Sequence, residues 1–190
     1  VSAHLIHLIG FPGVGKLTIA KEIIRLRTEY RLVDAHLINN PIFTVTRIDG
    51  STPFPQGVWD SVNKIRSIVL DAMANLAPPH LGFVMTNVVL DDEEDRAECL
   101  KIEAVAQKRN CAYVPVILTC DLEENRRRIV SPEREISLKA TNPALPDRMH
   151  GATPLASFEG YPNRIELDVT AMEAAESARI ILETVDRLTA

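Results

Sequence analysis

The stretch HLIHLIGFPGVGKLT, residues 4–18, constrains this chain more than any other. A short apolar run, three glycines within six residues and a helix-period segment read as a strand, a tight turn and a helix. Such a turn can bind phosphate. Its glycines let the backbone curl so that successive N–H groups point inward, the helix N-terminus adds positive partial charge, and Lys16 brings a full one. The segment fits a phosphate-binding loop at Gly10, Gly15 and Lys16. It departs at Leu17, where the usual pattern offers a serine or threonine hydroxyl to magnesium.

Apolar runs bounded by turn residues alternate with helix-period segments along the rest of the chain, which predicts an α/β fold with a parallel sheet. Five strands are expected, in HLIHLI, RLVDA, LGFVMTNVVL, YVPVILTC and RIELDV, the fourth regular only after Pro115. Helices are expected over about 15–29, 58–76, up to 109, from 121, and 171–188. Trp59, Val62, Ile65, Val69, Met73 and Leu76 form one stripe of the second, with Trp59 as core or pocket wall. DDEED opens the third, where acids suit the helix dipole, although Asp91 and Asp92 are also candidate metal acids. The prolines and glycines of NNPIFTVTRIDGSTPFPQG exclude a long regular element there. A single domain over residues 1–190 follows, with an acceptor-binding region at about 36–66 and a mobile lid at about 128–163.

With 190 residues and 46% hydrophobic content, the chain can bury one good core. Its net charge of −5 disfavours a surface built to neutralise a nucleic-acid backbone, so a small anionic ligand is the expected partner. Three cysteines, Cys99, Cys111 and Cys120, show neither metal-ligand spacing nor an even disulfide set and read as buried thiols of a reducing compartment. No apolar run approaches the roughly 20 residues of a membrane span, and the first one is interrupted too soon for a signal peptide. A cytoplasmic protein without a membrane partner is expected.

GFPGVGKLT resembles the loop of adenylate kinases and related small-molecule kinases, whose pattern is glycine, any residue, proline, glycine, any residue, glycine, lysine, any residue, threonine. There the hydroxyl lies two places after the lysine, as Thr18 does here. The resemblance implies the three-layer fold of phosphate-loop NTPases, with helices on both faces of a five-stranded parallel sheet. It also implies that Gly10, Pro12, Gly13, Val14, Gly15, Lys16, Leu17 and Thr18 bind ATP. Mg²⁺ would be held near Thr18 and Asp34, largely through water and the phosphates themselves.

In the similar shikimate kinases, gluconate kinases and chloramphenicol phosphotransferase-like proteins, an aspartate near the end of the second strand faces the acceptor. Asp34 matches that position, with a turn or cap residue as the alternative reading. An acid there can orient or deprotonate a hydroxyl. His36, Thr86 and Asn87 are further acceptor-side candidates, because polar groups just past the strands of an open α/β sheet face its ligand crevice; Arg66 is another, because it lies beside Ile65 and Val69 near the apolar stripe of the 58–76 helix, where a charge needs a partner. Arg47 and Asp49 come from the same acceptor-side passage.

The cluster RRR at 126–128, followed by Arg134, lies at the start of the lid. The resemblance implies two arginines about seven residues apart that clasp the nucleotide, and Arg127 and Arg134 have that separation. Arginine suits this work through its planar, bidentate fork. Thr170, after the last strand, is expected beside the adenine. The implied activity is transfer of the γ-phosphate of ATP to a hydroxyl of a small molecule, with Lys16, Asp34, Arg127 and Arg134 as its catalytic groups. No DGxPR-like segment of adenylate kinases follows the third strand, so a sugar acid, polyol or antibiotic is the expected acceptor. A catalytically inactive nucleotide-binding regulatory module remains the alternative.

Overall fold

The structure, a computed structural model, describes residues 4–46, 54–131, 141–151 and 153–188. Its centre is a five-stranded sheet with every pair parallel, in the order β2-β3-β1-β4-β5. The strands are β1 (His4–Ile9), β2 (Tyr30–Asp34), β3 (Gly82–Asn87), β4 (Ala112–Thr119) and β5 (Ile165–Asp168). All six residues of the central β1 are buried, as expected of a parallel strand covered on both faces.

Alternation along β1 separates two cores. Leu5 and Ile9 pack with α2 (Ala35–Val45), α3 (Val58–Asn75) and α4 (Glu93–Lys108). Ile6 and Leu8 face the other way, toward α1 (Lys16–Leu26) and α7 (Ala174–Leu188). Two shorter helices, α5 (Leu122–Ile129) and α6 (Leu145–His150), pack against each other beyond β4. The α/β three-layer architecture is therefore the one expected.

Local sequence explains most boundaries. Asp92 caps α4 by accepting a hydrogen bond from the Asp95 amide at 2.9 Å, and Glu93, Glu94 and Asp95 occupy its first turn. The stripe of α3 holds in its middle, where Val62 and Met73 are buried and Ile65 and Val69 pack on the core. Its ends do not: Leu76 and Trp59 are exposed, while Val58 and Leu70 are buried instead.

Three expectations are corrected. The passage read as excluding a long regular element begins inside the 11-residue helix α2, with Pro41 in its interior. A proline there removes one helix hydrogen bond at a cost of about 3 kcal/mol, and burial of Ile38 and Phe43 opposes that cost. Strand β4 runs regularly through Pro115, because β5 pairs with it only from Val116 onward. The end of the expected lid belongs to the body of the protein. Leu90 bridges Leu155, the Ala156 amide donates to the Val89 carbonyl at 3.0 Å, and Ala156 and Phe158 are buried in the core.

Candidate active site

The carboxyl ends of β1, β2 and β3 open onto one cavity of about 760 Å³, within the range of small-molecule sites. On one side lies the glycine loop. Gly13 and Gly15 have φ of +93° and +105°, a left-handed conformation that favours glycine. Gly15 precedes α1 without a side-chain cap, and the first turn of α1 contains no acid. The amides of that turn have no partner within the helix, and nothing acidic competes for them. Lys16 Nζ donates to the carbonyls of Gly10 (2.5 Å) and Phe11 (2.9 Å), which holds the ammonium in the hollow of its own loop.

Of the predicted nucleotide-binding residues, Pro12, Gly13, Gly15, Lys16, Leu17, Thr18 and Arg127 line the cavity. Gly10 and Val14 lie behind it: Val14 is buried, and its carbonyl accepts from Arg128 at 3.1 Å. Thr170 is outside the lining residues. Its hydroxyl donates to Asp168 Oδ1 at 2.6 Å and accepts from the Asp121 amide at 2.8 Å, so the side chain ties the end of β5 to the start of α5. Arg134 lies outside the described residues, as do Arg47 and Asp49.

Three neighbouring arginines have three different surroundings. Arg126 pairs with Glu123 and with Asp147, fastening α6 to α5. Arg127 is bound bidentately by Glu124 (2.7 and 2.6 Å) but keeps 74% of its side chain exposed at the cavity edge. Arg128 also takes Glu124, and it donates to the carbonyls of Val14, Val169 and Thr170. Hydrogen bonds from Arg127, joined by those from Arg128, outweigh desolvation and hold the Glu124 carboxyl down to about 2. Sequence reasoning identified the cluster but not the strut: Arg128 joins α5, the glycine loop and the end of β5.

Asn125 was missed altogether. Fully buried, it donates through Nδ2 to the Pro12 carbonyl at 2.8 Å and supports the loop from behind. A lone asparagine within a charged helix carries no signal for this. Above the loop, the His150 ring at the end of α6 lies 5.0 Å from that of Phe11.

All five predicted acceptor-side residues, Asp34, His36, Arg66, Thr86 and Asn87, line the cavity. Asp34 is only 7% exposed and makes no side-chain cap for α2. Instead its Oδ1 accepts from the Thr86 hydroxyl, which itself accepts from the Ala35 amide at 3.2 Å. The register of β2 against β3 sets Asp34 beside Thr86. His36 Nδ1 is 3.1 Å from Asn40 Oδ1. Asn87 is held from inside the sheet: its Oδ1 is 3.0 Å from His7 Nε2, and His7 Nδ1 is 2.9 Å from the Tyr113 hydroxyl. Burial pushes the His7 ring down to about 4, against the hydrogen bond to Asn87 and with the repulsion of Arg66, so the ring is neutral.

Arg66 is shared between Asn63 Oδ1 (2.8 Å) and Glu98 Oε2 (3.3 Å). Burial works against an ionised Glu98, but Lys101 and then Arg66 outweigh it and hold the carboxyl below its ordinary range. Burial raises Asp95, although its Oδ2 accepts from the Leu90 amide at 2.6 Å.

Among the described residues no three histidine, cysteine, aspartate or glutamate side chains converge on a metal position. A magnesium ion that keeps most of its waters and binds substrate phosphates needs no such cage, only one or two acids. Asp34 at the cavity floor and the Thr18 hydroxyl fit that requirement. Nor is any helix among the described residues long and apolar enough to cross a membrane.

No family model matches the sequence, and no curated protein matches it by sequence. Solved structures do match the fold. A gluconokinase from Sinorhizobium meliloti 1021 is 16% identical with a TM-score of 0.64, over 97% of this chain and 93% of that one. A sugar kinase from Janibacter sp. is 17% identical with a TM-score of 0.61, over 100% and 99%. The APS kinase of Mycobacterium tuberculosis, in complex with AMPPNP and APS, is 14% identical with a TM-score of 0.58, over 97% and 98%. The chain has the fold of phosphate-loop kinases along essentially its whole length.

Proposed function

We propose that this protein transfers the γ-phosphate of ATP to a hydroxyl group of a small molecule. One observation carries the reading: a phosphate loop with Lys16, after β1, and a buried carboxylate, Asp34, at the end of β2, line the same cavity from two strand ends that flank β3. The structural likeness to sugar, gluconate and APS kinases supports the same reading.

The amides of the glycine loop and Lys16 bind the β- and γ-phosphates, and the cavity orients the acceptor hydroxyl in line with the phosphoryl group. The acceptor oxygen bonds to the γ-phosphorus as the bond to the β–γ bridging oxygen breaks. ADP leaves with that electron pair, and the hydroxyl proton passes to Asp34. The Thr86 hydroxyl holds this carboxylate in place. Arg127, exposed at the cavity edge, and Arg134 close on the nucleotide. The proposed lid lies within about 128–163, apart from Leu155, Ala156 and Phe158, which pack against the body of the protein. Magnesium held near Thr18 and Asp34 would neutralise phosphate charge.

The test is calorimetric titration with AMPPNP, with and without Mg²⁺, followed by ADP release with a panel of hydroxylated acceptors. Binding that Lys16→Ala abolishes, together with acceptor-dependent ADP release, is expected. Binding without turnover on any acceptor reduces the protein to a nucleotide-binding module. No binding at all means that Leu17 marks a disabled loop.

A further inference from the structure

The acceptor side of the cavity differs in charge from the nucleotide side. Asp92, Glu94, Asp95 and Glu98 line the wall that begins at the turn before α4, opposite α3. Arg66 is the only lysine or arginine that α3 adds to the lining among the described residues, and Glu98 already engages it. An acceptor bearing a carboxylate would enter against Asp92, Glu94 and Asp95, with Glu98 and Arg66, the guanidinium that α3 adds among the described residues, already paired with each other.

Two further observations point to a ligand of the opposite kind. Asn39 lines the cavity, is only 9% exposed, and its Oδ1 has no hydrogen-bond partner among the described residues. A buried acceptor atom left unpaired is destabilising, and a ligand N–H or O–H relieves it. Trp59 also lines the cavity and is 42% exposed, an unusual state for an indole. It is braced by Phe43, edge-on at 5.9 Å, and by Phe54 at 5.1 Å. Trp59, Asn63 and Arg66 recur at i, i+4 and i+7 on one face of α3, turned to the cavity. An exposed aromatic face beside carboxylates suits an ammonium group.

We infer that the acceptor is a hydroxylated amine of the amino-sugar or amino-alcohol class. Its hydroxyl meets Asp34, its ammonium lies between Trp59 and the carboxylate wall of α4, and a donor reaches Asn39 Oδ1. The inference rests on the transfer reading above and narrows it from any hydroxylated acceptor to a cationic one.

Matched probes test it: glucosamine, galactosamine and 2-amino-1,3-propanediol, each with its N-acetylated form, together with gluconate and galactonate. The full chain is assayed for ADP release with Mg-ATP, alongside AMPPNP titration. The expected result is turnover of at least one amine with kcat/KM tenfold or more above its N-acetylated form and above both carboxylates. Glu94→Gln is then expected to raise the KM of that amine about fivefold without changing AMPPNP affinity. Equal or better turnover of an acetylated probe or a carboxylate overturns the amine assignment and leaves the kinase reading standing. AMPPNP binding that depends on Lys16, with no probe turned over, overturns the amine assignment; loss of nucleotide binding overturns the kinase reading with it.

Discussion

The Thr86 hydroxyl donates to Asp34 Oδ1 across the β2–β3 pair, so a carboxylate that is 7% exposed receives its orienting hydrogen bond from the neighbouring strand. Thr86→Val keeps the shape and removes the donor. It should lower kcat on any accepted substrate about tenfold while AMPPNP affinity stays constant. Asp34→Asn should cost about 10²–10⁴ in kcat, the usual range for a general base. Steady-state kinetics and calorimetry on the same preparations check both; a Thr86→Val enzyme with unchanged kcat would remove Thr86 from the positioning role.

At the glycine loop, a Cβ on Gly13 would come within 2.5 Å of Asn125 Nδ2, at a backbone φ of +93°. Gly13→Ala therefore has to strain the backbone and displace the amide that supports Pro12. A destabilisation of about 1–3 kcal/mol is expected in urea unfolding, with nucleotide affinity lost as well. Asn125→Ala should weaken nucleotide binding less, since the loop glycines stay unstrained. Wild-type stability and affinity in Gly13→Ala would refute this account of the loop.

His7 sets a pH limit on stability. Its folded-state value, about 4, lies below the ordinary 6.5, because burial disfavours the imidazolium. Below pH 6.5 the unfolded chain takes up this proton first, so stability falls as pH drops from about 6.5 through about 4, and the group adds nothing above that window. The loss attributable to His7 is about 3 kcal/mol by pH 4. Urea unfolding of the wild type and of His7→Gln between pH 7.5 and 4.5 should show a steeper decline for the wild type. Parallel profiles would show that His7 does not titrate as described.

The parallel α/β architecture, the phosphate loop and the acid-capped start of α4 could be read from the residues in order, because each is encoded locally. Alternating runs select strands, glycines select the turn, and Asp92 accepts from an amide three residues ahead. Other features reverse under tertiary packing. Pro41 sits inside a helix because Ile38 and Phe43 are buried on it, and residues 155–158 join the core by bridging the chain just after β3.

By itself, the sequence determined that a lysine would stand on a glycine turn before a helix and that an aspartate would end the second strand. Only the tertiary structure decided their company. Strand register placed Thr86 against Asp34, the order β3-β1-β4 placed His7 between Asn87 and Tyr113, and helix packing made Trp59 line the same cavity as four carboxylates at the start of α4. The physical reason is range. Backbone conformation responds to neighbours within a turn or two of the chain, whereas a site is assembled by side chains that meet only after the sheet has aligned residues far apart in sequence.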